Sequence, residues 1–271
     1  MFEPAVSYVP LNYSEGFARQ PLYSQVRQHL LKELARGVWR AGDMLPAEKE
    51  LAQKLGVSLG TVRKAVASLA DEGVLCRKQG LGTFVQSFRM SAYTNQFHRF
   101  FYDKTNDIVP FTMRLVRYET VSAEQALVAA EVLGLAPEAR VIHALRVYSW
   151  MNEDVGISEL WLPAERFSRM TQQNLANHEG SLYSYYETEL GVTIVDTHDR
   201  IKAKCFTWKQ ASIGRFQVGA PYLELTRVGY TYGNEPVEYR LSYCSSEKFH
   251  MVMGTSVNSM LGKEYSSREL F

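Results

Sequence analysis

Residues 45–85 read LPAEKELAQKLGVSLGTVRKAVASLADEGVLCRKQGLGTFV, and this stretch decides the fold of the N-terminal part of the chain. Pro46 suits the first turn of a helix that Gly56 ends, and Ser58 can cap a second helix that ends at Gly73. Because so few residues separate the two helical segments, they are expected to form a helix-turn-helix. The outer side of the second segment is then a candidate for reading DNA.

The residues on either side of this pair extend it into a small domain. Upstream, the run that begins at Pro21 predicts an amphipathic helix, because apolar residues recur every fourth position from Leu22 to Leu34. Downstream, VLCRKQGLGTFV predicts two short strands around a glycine-containing turn, with Arg77 and Lys78 just before it. Such a hairpin is the wing of a winged helix-turn-helix, and its glycine lets the backbone approach a phosphate or a minor groove.

Positive charge is concentrated in the same part of the chain. Residues 19–90 contain 12 Lys and Arg against 6 Asp and Glu, whereas the 271 residues together carry a net charge of only +1. This asymmetry favours a nucleic-acid-binding module joined to a part that does not bind nucleic acid. In the helix that Ser58 can cap, the face opposite the apolar stripe carries two cations and two small residues: Gly60, Arg63, Lys64 and Ala67.

Composition and length exclude several classes of protein. With 46% apolar and 22% charged residues the chain is expected to fold, and 271 residues suffice for about two domains. No apolar run approaches the roughly 18 residues of a membrane helix, and the N-terminus lacks the pattern of an export signal. The three cysteines are too widely spaced for a zinc or redox motif. We therefore expect a cytoplasmic protein with reduced thiols, no membrane contact, no metal and no cofactor.

The C-terminal part mixes strand and helix patterns. Four runs rich in β-branched and aromatic residues alternate with period two and predict strands, at residues 141–150, 156–163, 221–232 and 236–244. The turn GNEP joins the last two runs as a hairpin. Helices are predicted at 124–135, behind a capping box of Ser122 and Gln125, and at 181–190 and 207–216. Together these patterns predict an α+β domain with an antiparallel sheet.

Both parts resemble a known family of bacterial transcription regulators. The N-terminal stretch resembles the winged helix-turn-helix of the GntR family, and LGLAPEARVIHALRV, SLYSYYETELGV and PYLELTRVGYTYGNEPVEYRLSYC resemble the UTRA domain of its HutC subfamily. The sequence patterns and the resemblance together predict five segments: a flexible N-terminus at 1–18, a winged helix-turn-helix DNA-binding domain at 19–86, a polar and aromatic linker at 87–107 that docks on the second domain, a UTRA-like effector-binding domain at 108–253 and a C-terminal tail at 254–271.

The resemblance assigns DNA contacts to five positions: Lys49, Ser58, Thr61, Arg63 and Gly80. Charge adds three more, as phosphate contacts rather than base readers: Lys64, Arg77 and Lys78. Two alternatives stay open, since Thr61 could bond within its own helix and Lys49 could pair with Glu50. The chain departs from the family at Leu59 and Gly60, where relatives often carry Arg and Thr.

The resemblance also implies an effector site where strand ends meet the helix that begins at Ser181. Four residues match effector-binding positions of the family: Arg146, Ser181, Tyr183 and Glu238. A guanidinium suits an anion, and hydroxyls and a carboxylate suit the polar groups of a small metabolite. The alternatives are a structural ion pair for Arg146 and a core aromatic role for Tyr183.

One departure from the family limits the charge that we expect the effector to carry. Where the family has the first arginine of a strand pair, this chain has Ala144, which leaves Arg146 as the matched cation. One arginine suits a carboxylate better than a dianion, so we expect an organic acid or amino-acid-like metabolite rather than a sugar phosphate. Lys202 or Arg240 could supply a second charge and change this expectation. Glu159 is one step from the family's glutamate position and is expected on the other face of its strand.

These observations predict a ligand-responsive regulator that is not an enzyme. We expect a homodimeric repressor that binds double-stranded operator DNA and leaves its palindromic site when a small metabolite binds, with the linker transmitting the change. Two other functions stay open: a DNA-binding protein whose C-terminal domain only dimerises, and an enzyme. The best candidates for catalysis are DTHD at 196–199 and His178 beside Glu179, and neither has the spacing of a metal or hydrolytic site.

Overall fold

The structure is a computed structural model that describes residues 21–86, 100–105, 109, 111–178 and 181–251. The N-terminus expected at 1–18, most of the linker expected at 87–107 and the tail expected at 254–271 lie outside these residues. The described chain has a helical N-terminal part and a C-terminal part built on a sheet. None of the described helices combines the length and the apolar character needed to cross a membrane.

Three helices and a two-stranded hairpin make up the N-terminal part: α1 Leu22–Ala35, α2 Glu48–Leu55, α3 Leu59–Asp71, β1 Leu75–Lys78 and β2 Gly82–Val85. Gly56 ends α2 with φ 67°, in the left-handed region that a residue with a Cβ adopts only under strain. Ser58 then caps α3, because its hydroxyl accepts a hydrogen bond from the Thr61 backbone N–H at 3.2 Å. The helix-turn-helix and its antiparallel wing are as predicted.

The apolar stripes of α1 and α3 form the core of this part. Val26 and Leu30 on α1, and Val62 and Leu69 on α3, are at most 1% exposed and belong to one apolar cluster. Full burial of such a side chain contributes about 1.5–3 kcal/mol to stability. Packing against α1 therefore fixes the direction in which α3 presents its outer face.

Six antiparallel strands form the sheet of the C-terminal part, in the order β4-β5-β6-β9-β8-β7. Their bounds are β4 Thr112–Ser122, β5 Arg140–Trp150, β6 Glu153–Pro163, β7 Asp196–Cys205, β8 Pro221–Thr231 and β9 Glu235–Ser245. The four predicted strands are the four central ones. The edge strands β4 and β7 were not predicted from the sequence, and none of their residues is fully buried. In β4 a bulge between Leu115 and Arg117 also breaks the alternation of Met113, Leu115 and Tyr118.

Short helices cover both faces of this sheet: α4 Leu127–Val132, α5 Gln172–Asn177, α6 Leu182–Tyr185, which continues as a π-helix at Tyr186–Leu190, and α7 Trp208–Ala211. The π-helix, α5 and α6 pack on one face, and α4 packs on the other. The helices predicted at 124–135 and 207–216 are both too long. Ser122 and Gln125 do exchange the capping-box bonds, but Ser122 ends β4 and the non-helical backbone of Ala126 delays the helix to Leu127.

The C-terminal end of the linker expected at 87–107 contacts the C-terminal part. Residues Phe100–Tyr102 form strand β3, which pairs antiparallel with strand β10, Phe249–Met251. The rings of Phe100 and Phe249 are 5.8 Å apart and both are buried. Apolar burial therefore attaches Phe100–Tyr102 to the C-terminal part.

His143 on β5 connects three strands on the face that α4 covers. Its Nδ1 lies 3.0 Å from a Glu119 carboxylate oxygen on β4, and its Nε2 lies 3.0 Å from a Glu159 oxygen on β6. Carboxylates only accept hydrogen bonds, so both ring nitrogens must donate, which requires the charged imidazolium. Burial of the ring opposes this charge, but the hydrogen bonds and charges of Glu159 and Glu119 outweigh it and raise the pKa of His143.

We expect the stabilisation that His143 provides to decline as the pH rises. Because its folded pKa lies above the unfolded value of about 6.5, the contribution is complete below about pH 6.5 and is lost as the pH passes through the folded pKa. Urea unfolding of the wild type and His143→Gln should give a larger difference in free energy at about pH 6 than at about pH 9. His198→Gln, which removes an exposed histidine elsewhere on the sheet, is measured in parallel for comparison. A His143 difference that grows with pH would contradict the assignment.

Candidate functional site

Two sets of polar residues stand out, one on the surface of the N-terminal part and one inside the C-terminal part. On the surface, Glu48 at the start of α2 joins α3 to the wing. One of its carboxylate oxygens accepts from Arg63 Nε at 3.1 Å, and the other accepts from Arg77 at 3.2 Å. Both guanidiniums remain more than half exposed, so they lie on one surface with donors free for a ligand. The sequence did not assign this bridging role to Glu48.

Two of the candidate hydroxyls are engaged at the beginning of α3. The Ser58 hydroxyl lies 2.8 Å from the Thr61 hydroxyl and also accepts from the Thr61 backbone N–H. This arrangement is the alternative considered for Thr61, in which the side chain bonds within its own helix. Both residues are exposed or half-buried, so they still border the outer face of α3.

The candidate lysines and the wing glycine occupy different parts of this surface. Lys64 Nζ lies 4.1 Å from the centre of the Tyr23 ring, which directs it toward α1, and Lys78 Nζ lies 4.6 Å from the Phe84 ring on the wing. Lys49 is exposed on α2. Gly80 has φ 73° in the turn of the wing, and a Cβ there would meet nothing within 4 Å. The wing tip is therefore open to a close approach.

Inside the C-terminal part, the carboxylate of Glu238 is fully buried and accepts hydrogen bonds from three groups. Tyr183 donates from 2.8 Å, Tyr186 from 3.0 Å and Arg240 from 2.7 Å. Burial, and after it the charge of Glu238, raises the pKa of both tyrosines, so they keep the protons that they donate. Of the four effector residues expected from the sequence, Tyr183 and Glu238 are in direct contact.

Arg146 lies on the same face of the sheet, in a row of polar residues that crosses the central strands. In register, Arg146 on β5 pairs with Ser158 on β6, and Ser158 pairs with Ser242 on β9. Arg146 is 2% exposed, and it donates a hydrogen bond to the Tyr148 hydroxyl at 3.3 Å. Three buried atoms in this region have no hydrogen-bond partner among the described residues: Arg146 Nε, Ser158 Oγ and Arg240 Nε.

The charges on this face do not balance. Arg240 is paired with Glu238, and Arg227 is paired with Asp199 through bonds of 2.7 and 2.5 Å. Among the described residues, no carboxylate forms an ion pair with Arg146. Three guanidiniums and two carboxylates therefore leave one positive charge, at a place where an uncompensated charge is costly. We call the residues on this face the buried cluster: Arg146, Ser158, Tyr183, Tyr186, Arg227, Glu238, Arg240 and Ser242. Its unpaired positive charge makes it suited to receive an anion.

The remaining candidates do not join the buried cluster. The Ser181 hydroxyl makes no capping bond to α6, the helix that follows it. Lys202 is exposed and lies on the opposite face, since its neighbour in register is Glu224 rather than Arg227. Glu159 also points to the opposite face, where it contacts His143. The second cation near Arg146 is therefore Arg240.

Sequence reasoning missed Tyr186, Arg227 and Ser242. A signal for the last was available: Glu238, Arg240 and Ser242 alternate with Tyr239, Leu241 and Tyr243, so a central strand carries polar residues along one whole face. DTHD at 196–199 has a structural role through the Asp199 pair with Arg227, and Glu179 of the His178 pair lies outside the described residues. The described ranges contain no group of three or more His, Cys, Asp or Glu that could hold a metal.

Comparison with known families decides what these sites belong to. Residues 22–85 match the family described as bacterial regulatory proteins of the gntR family, and residues 110–250 match the UTRA domain. The chain belongs to the GntR family. It is a ligand-responsive DNA-binding regulator, which confirms the function and the fold class predicted from the sequence, and its family consists of regulators rather than enzymes.

Several relatives match the GntR regulator over most of its length. It is 26% identical to the "Probable fructoselysine utilization operon transcriptional repressor" of Escherichia coli, over 90% of this chain and 98% of that protein. It is also 26% identical to the mannosyl-D-glycerate transport/metabolism system repressor of Escherichia coli, over 86% and 95%. The crystal structure of the ligand-binding domain of a GntR-family regulator from Bordetella bronchiseptica superposes with a TM-score of 0.54 at 25% identity, over 58% of this chain and 96% of that chain.

The charge balance of the buried cluster predicts opposite effects for two substitutions on one sheet face. Glu238→Gln leaves Arg240 buried without its carboxylate, which should lower the free energy of unfolding by about 3 kcal/mol. Arg146→Met removes a guanidinium that has no carboxylate, so the protein without effector should be as stable as the wild type or more stable. Urea unfolding of both variants measures this. Destabilisation of similar size in the two would show that Arg146 is as well compensated as Arg240.

Proposed function

We propose that this GntR regulator is a cytoplasmic homodimeric repressor, which releases a palindromic operator when a small sugar-derived anion binds in the buried cluster. The observation that carries the proposal is Arg146, a buried guanidinium without a carboxylate, beside polar atoms that lack partners. A ligand that supplies an anion and hydroxyl groups would compensate all of them. Two symmetric copies would place two recognition helices on a palindrome.

We further propose that the chain works as the five segments expected from the sequence, with DNA binding at 19–86 and effector binding at 108–253. The DNA contacts assigned to α2, α3 and the wing are the eight expected ones: Lys49, Ser58, Thr61, Arg63, Lys64, Arg77, Lys78 and Gly80. Support comes from the shared surface of Arg63 and Arg77 and from the open wing tip at Gly80. The weakest support is for Lys64, because it lies against Tyr23.

Two substitutions test the DNA surface, and they should have different effects on DNA binding: one on sequence discrimination and the other on affinity for any DNA. Arg63→Ala removes a base-reading candidate and should cost about 1–3 kcal/mol on the operator while reducing discrimination against scrambled DNA. Lys78→Ala removes a phosphate contact, so it should weaken binding to both DNAs alike and reduce the salt slope by about one. Lys248→Ala, at an exposed lysine on the C-terminal part, is the matched control. An unchanged specificity ratio in Arg63→Ala would mean that α3 faces DNA differently.

The effector's chemistry follows from the single uncompensated charge. The second cation that could have favoured a dianion, Arg240, is already paired with Glu238. A single carboxylate therefore fits Arg146 best, which retains the preference for an organic acid over a sugar phosphate. Glu238 and the tyrosines that donate to it suit sugar hydroxyls. The printed names of the two Escherichia coli relatives, which mention fructoselysine and mannosyl-D-glycerate, support a sugar-derived effector.

Three compounds with the same six-carbon chain separate these chemistries: gluconate, glucose 6-phosphate and glucose. In calorimetric titrations we expect gluconate to bind at least about tenfold more tightly than either of the others, and Arg146→Met to lose at least about tenfold for gluconate. Arg140→Ala, on the same strand but exposed and bonded to the Thr120 carbonyl, is the control and should bind as the wild type does. Tighter binding of the phosphate, or full binding by Arg146→Met, would overturn the assignment.

A further inference from the structure

The tip of the hairpin between β8 and β9 lies against the DNA-binding part. Tyr232, the first residue of this tip, is 3% exposed and belongs to the apolar cluster that contains Leu30, Leu31 and Leu34 of α1. The next residue, Gly233, has φ 76°, and a Cβ built on it would lie 3.9 Å from the Leu31 Cβ. A strand hairpin of the C-terminal part thus completes the core of the N-terminal part.

An arginine strengthens this contact at the end of α1. Arg166 donates a hydrogen bond to the carbonyl of Ala35, the last residue of α1, and pairs with Glu235 at 2.6 Å. Carbonyl groups in the last turn of a helix lack partners within the helix and carry the negative end of its dipole. One guanidinium therefore joins three elements: the end of α1, the segment after β6 and the first residue of β9.

The strands that reach this contact also carry the buried cluster. Glu238 and Arg240 follow Glu235 by three and five residues on β9, which corresponds to roughly 10 and 17 Å along the strand. Arg166 follows the end of β6, the strand that carries Ser158. The Glu238 Cβ lies only 3.2 Å from where a Gly229 Cβ would be, so β8 and β9 are closely packed at this point. Glu238 therefore lies at a close pairing of the same two strands that form the hairpin tip.

We propose that the hairpin tip is an interdomain lock, in which Tyr232 and Arg166 hold α1 and release it when the buried cluster rearranges. The lock rests on the proposed function, because it is the route by which an effector would reach the DNA-binding part. It differs from transmission through the linker at 87–107, since the contact is made directly between β8–β9 and α1.

The size of the contact is consistent with reversible docking. Beside Tyr232 the two parts are separated by a cleft of about 780 Å³, lined by charged residues of both parts that include Arg27, Lys32 and Asp196. Interfaces between domains that are small and partly polar resemble transient protein interfaces. In the proposed lock, the docked arrangement is therefore one of two states, and in the other the hairpin tip has released α1.

The lock is tested by breaking it and by fixing it. In a Cys205→Ser background, Leu31→Cys with Gly233→Cys places two thiols where the Cβ atoms are 3.9 Å apart, close to the usual separation in a disulfide of about 3.8 Å. Because Gly233 has φ 76°, any side chain there is strained, so Gly233→Ala in the same background controls for the substitution, and the oxidised pair is compared with its own reduced form. Operator affinity is measured on a duplex selected from random DNA by the wild type. Tyr232→Ala and Arg166→Gln should change the operator Kd threefold or more in one direction, and the oxidised pair should change it threefold or more in the other. Reduction of the disulfide should return the operator Kd to the value that the same variant had before oxidation.

A matched control and a communication test complete the design. Lys204→Gln breaks an exposed ion pair of 2.8 Å with Glu224 away from α1 and should change the operator Kd less than twofold. Tyr183→Phe, which removes one donor from Glu238, should change the rate of disulfide formation between the two introduced thiols threefold or more. An unchanged rate would refute communication from the buried cluster.

The outcomes separate the lock from the regulator itself. Thiols that fail to pair, or broken and oxidised locks that shift the operator Kd in the same direction or by less than threefold, overturn the lock. The pairing of the thiols needs neither operator nor effector, so it judges the lock alone. A wild-type chain that selects no DNA sequence counts against the proposed function instead.

Discussion

A buried carboxylate organises the C-terminal part of this regulator. Glu238 has no contact with solvent, and its carboxylate accepts hydrogen bonds from Tyr183, Tyr186 and Arg240. Those donors come from α6, the π-helix and β9, and meeting their geometry fixes how the helices lie on the sheet. Because Arg240 pairs with Glu238, it is not available as a free cation, and Arg146 is left as the charge without a carboxylate. The hydrogen bonds of Glu238 thus determine both the packing of the helices on the sheet and the charge that a ligand must supply.

The N-terminal part could be predicted almost completely, because its determinants are local. Gly56, Ser58 and the apolar stripe of α3 specify two helices and the turn between them without reference to the rest of the chain. The wing follows from two strand-forming runs around a glycine turn. What escaped prediction was Glu48, whose contacts with Arg63 and Arg77 join residues 15 and 29 positions apart. Spacing along one helix carries no information about such a contact.

The C-terminal part was predicted where strands are central and missed where they are edges. Central strands bury at least one face and therefore show alternation, whereas β4 and β7 have few fully buried residues. Arg146, Tyr183 and Glu238 came from resemblance to the family, and only the fold shows which of them touch. Ser181 matched the same family pattern, yet the short α6 gives it no comparable setting. The docking of Tyr232 on α1 depends on the approach of two separate parts, which no local pattern encodes.

The position of Glu48 gives the DNA-facing surface a counterion of its own. Its two oxygens already occupy donors of Arg63 and Arg77, much as two oxygens of a phosphate would. A nucleic acid that reaches these arginines must displace a carboxylate of the protein, where a bare cation would shed only dissolved ions. The cost of this displacement is the same at every DNA site where the two arginines engage the backbone. An acid among the basic residues of the proposed DNA surface therefore keeps Arg63 and Arg77 oriented before any DNA arrives, and it adds one ion pair to those that binding must break.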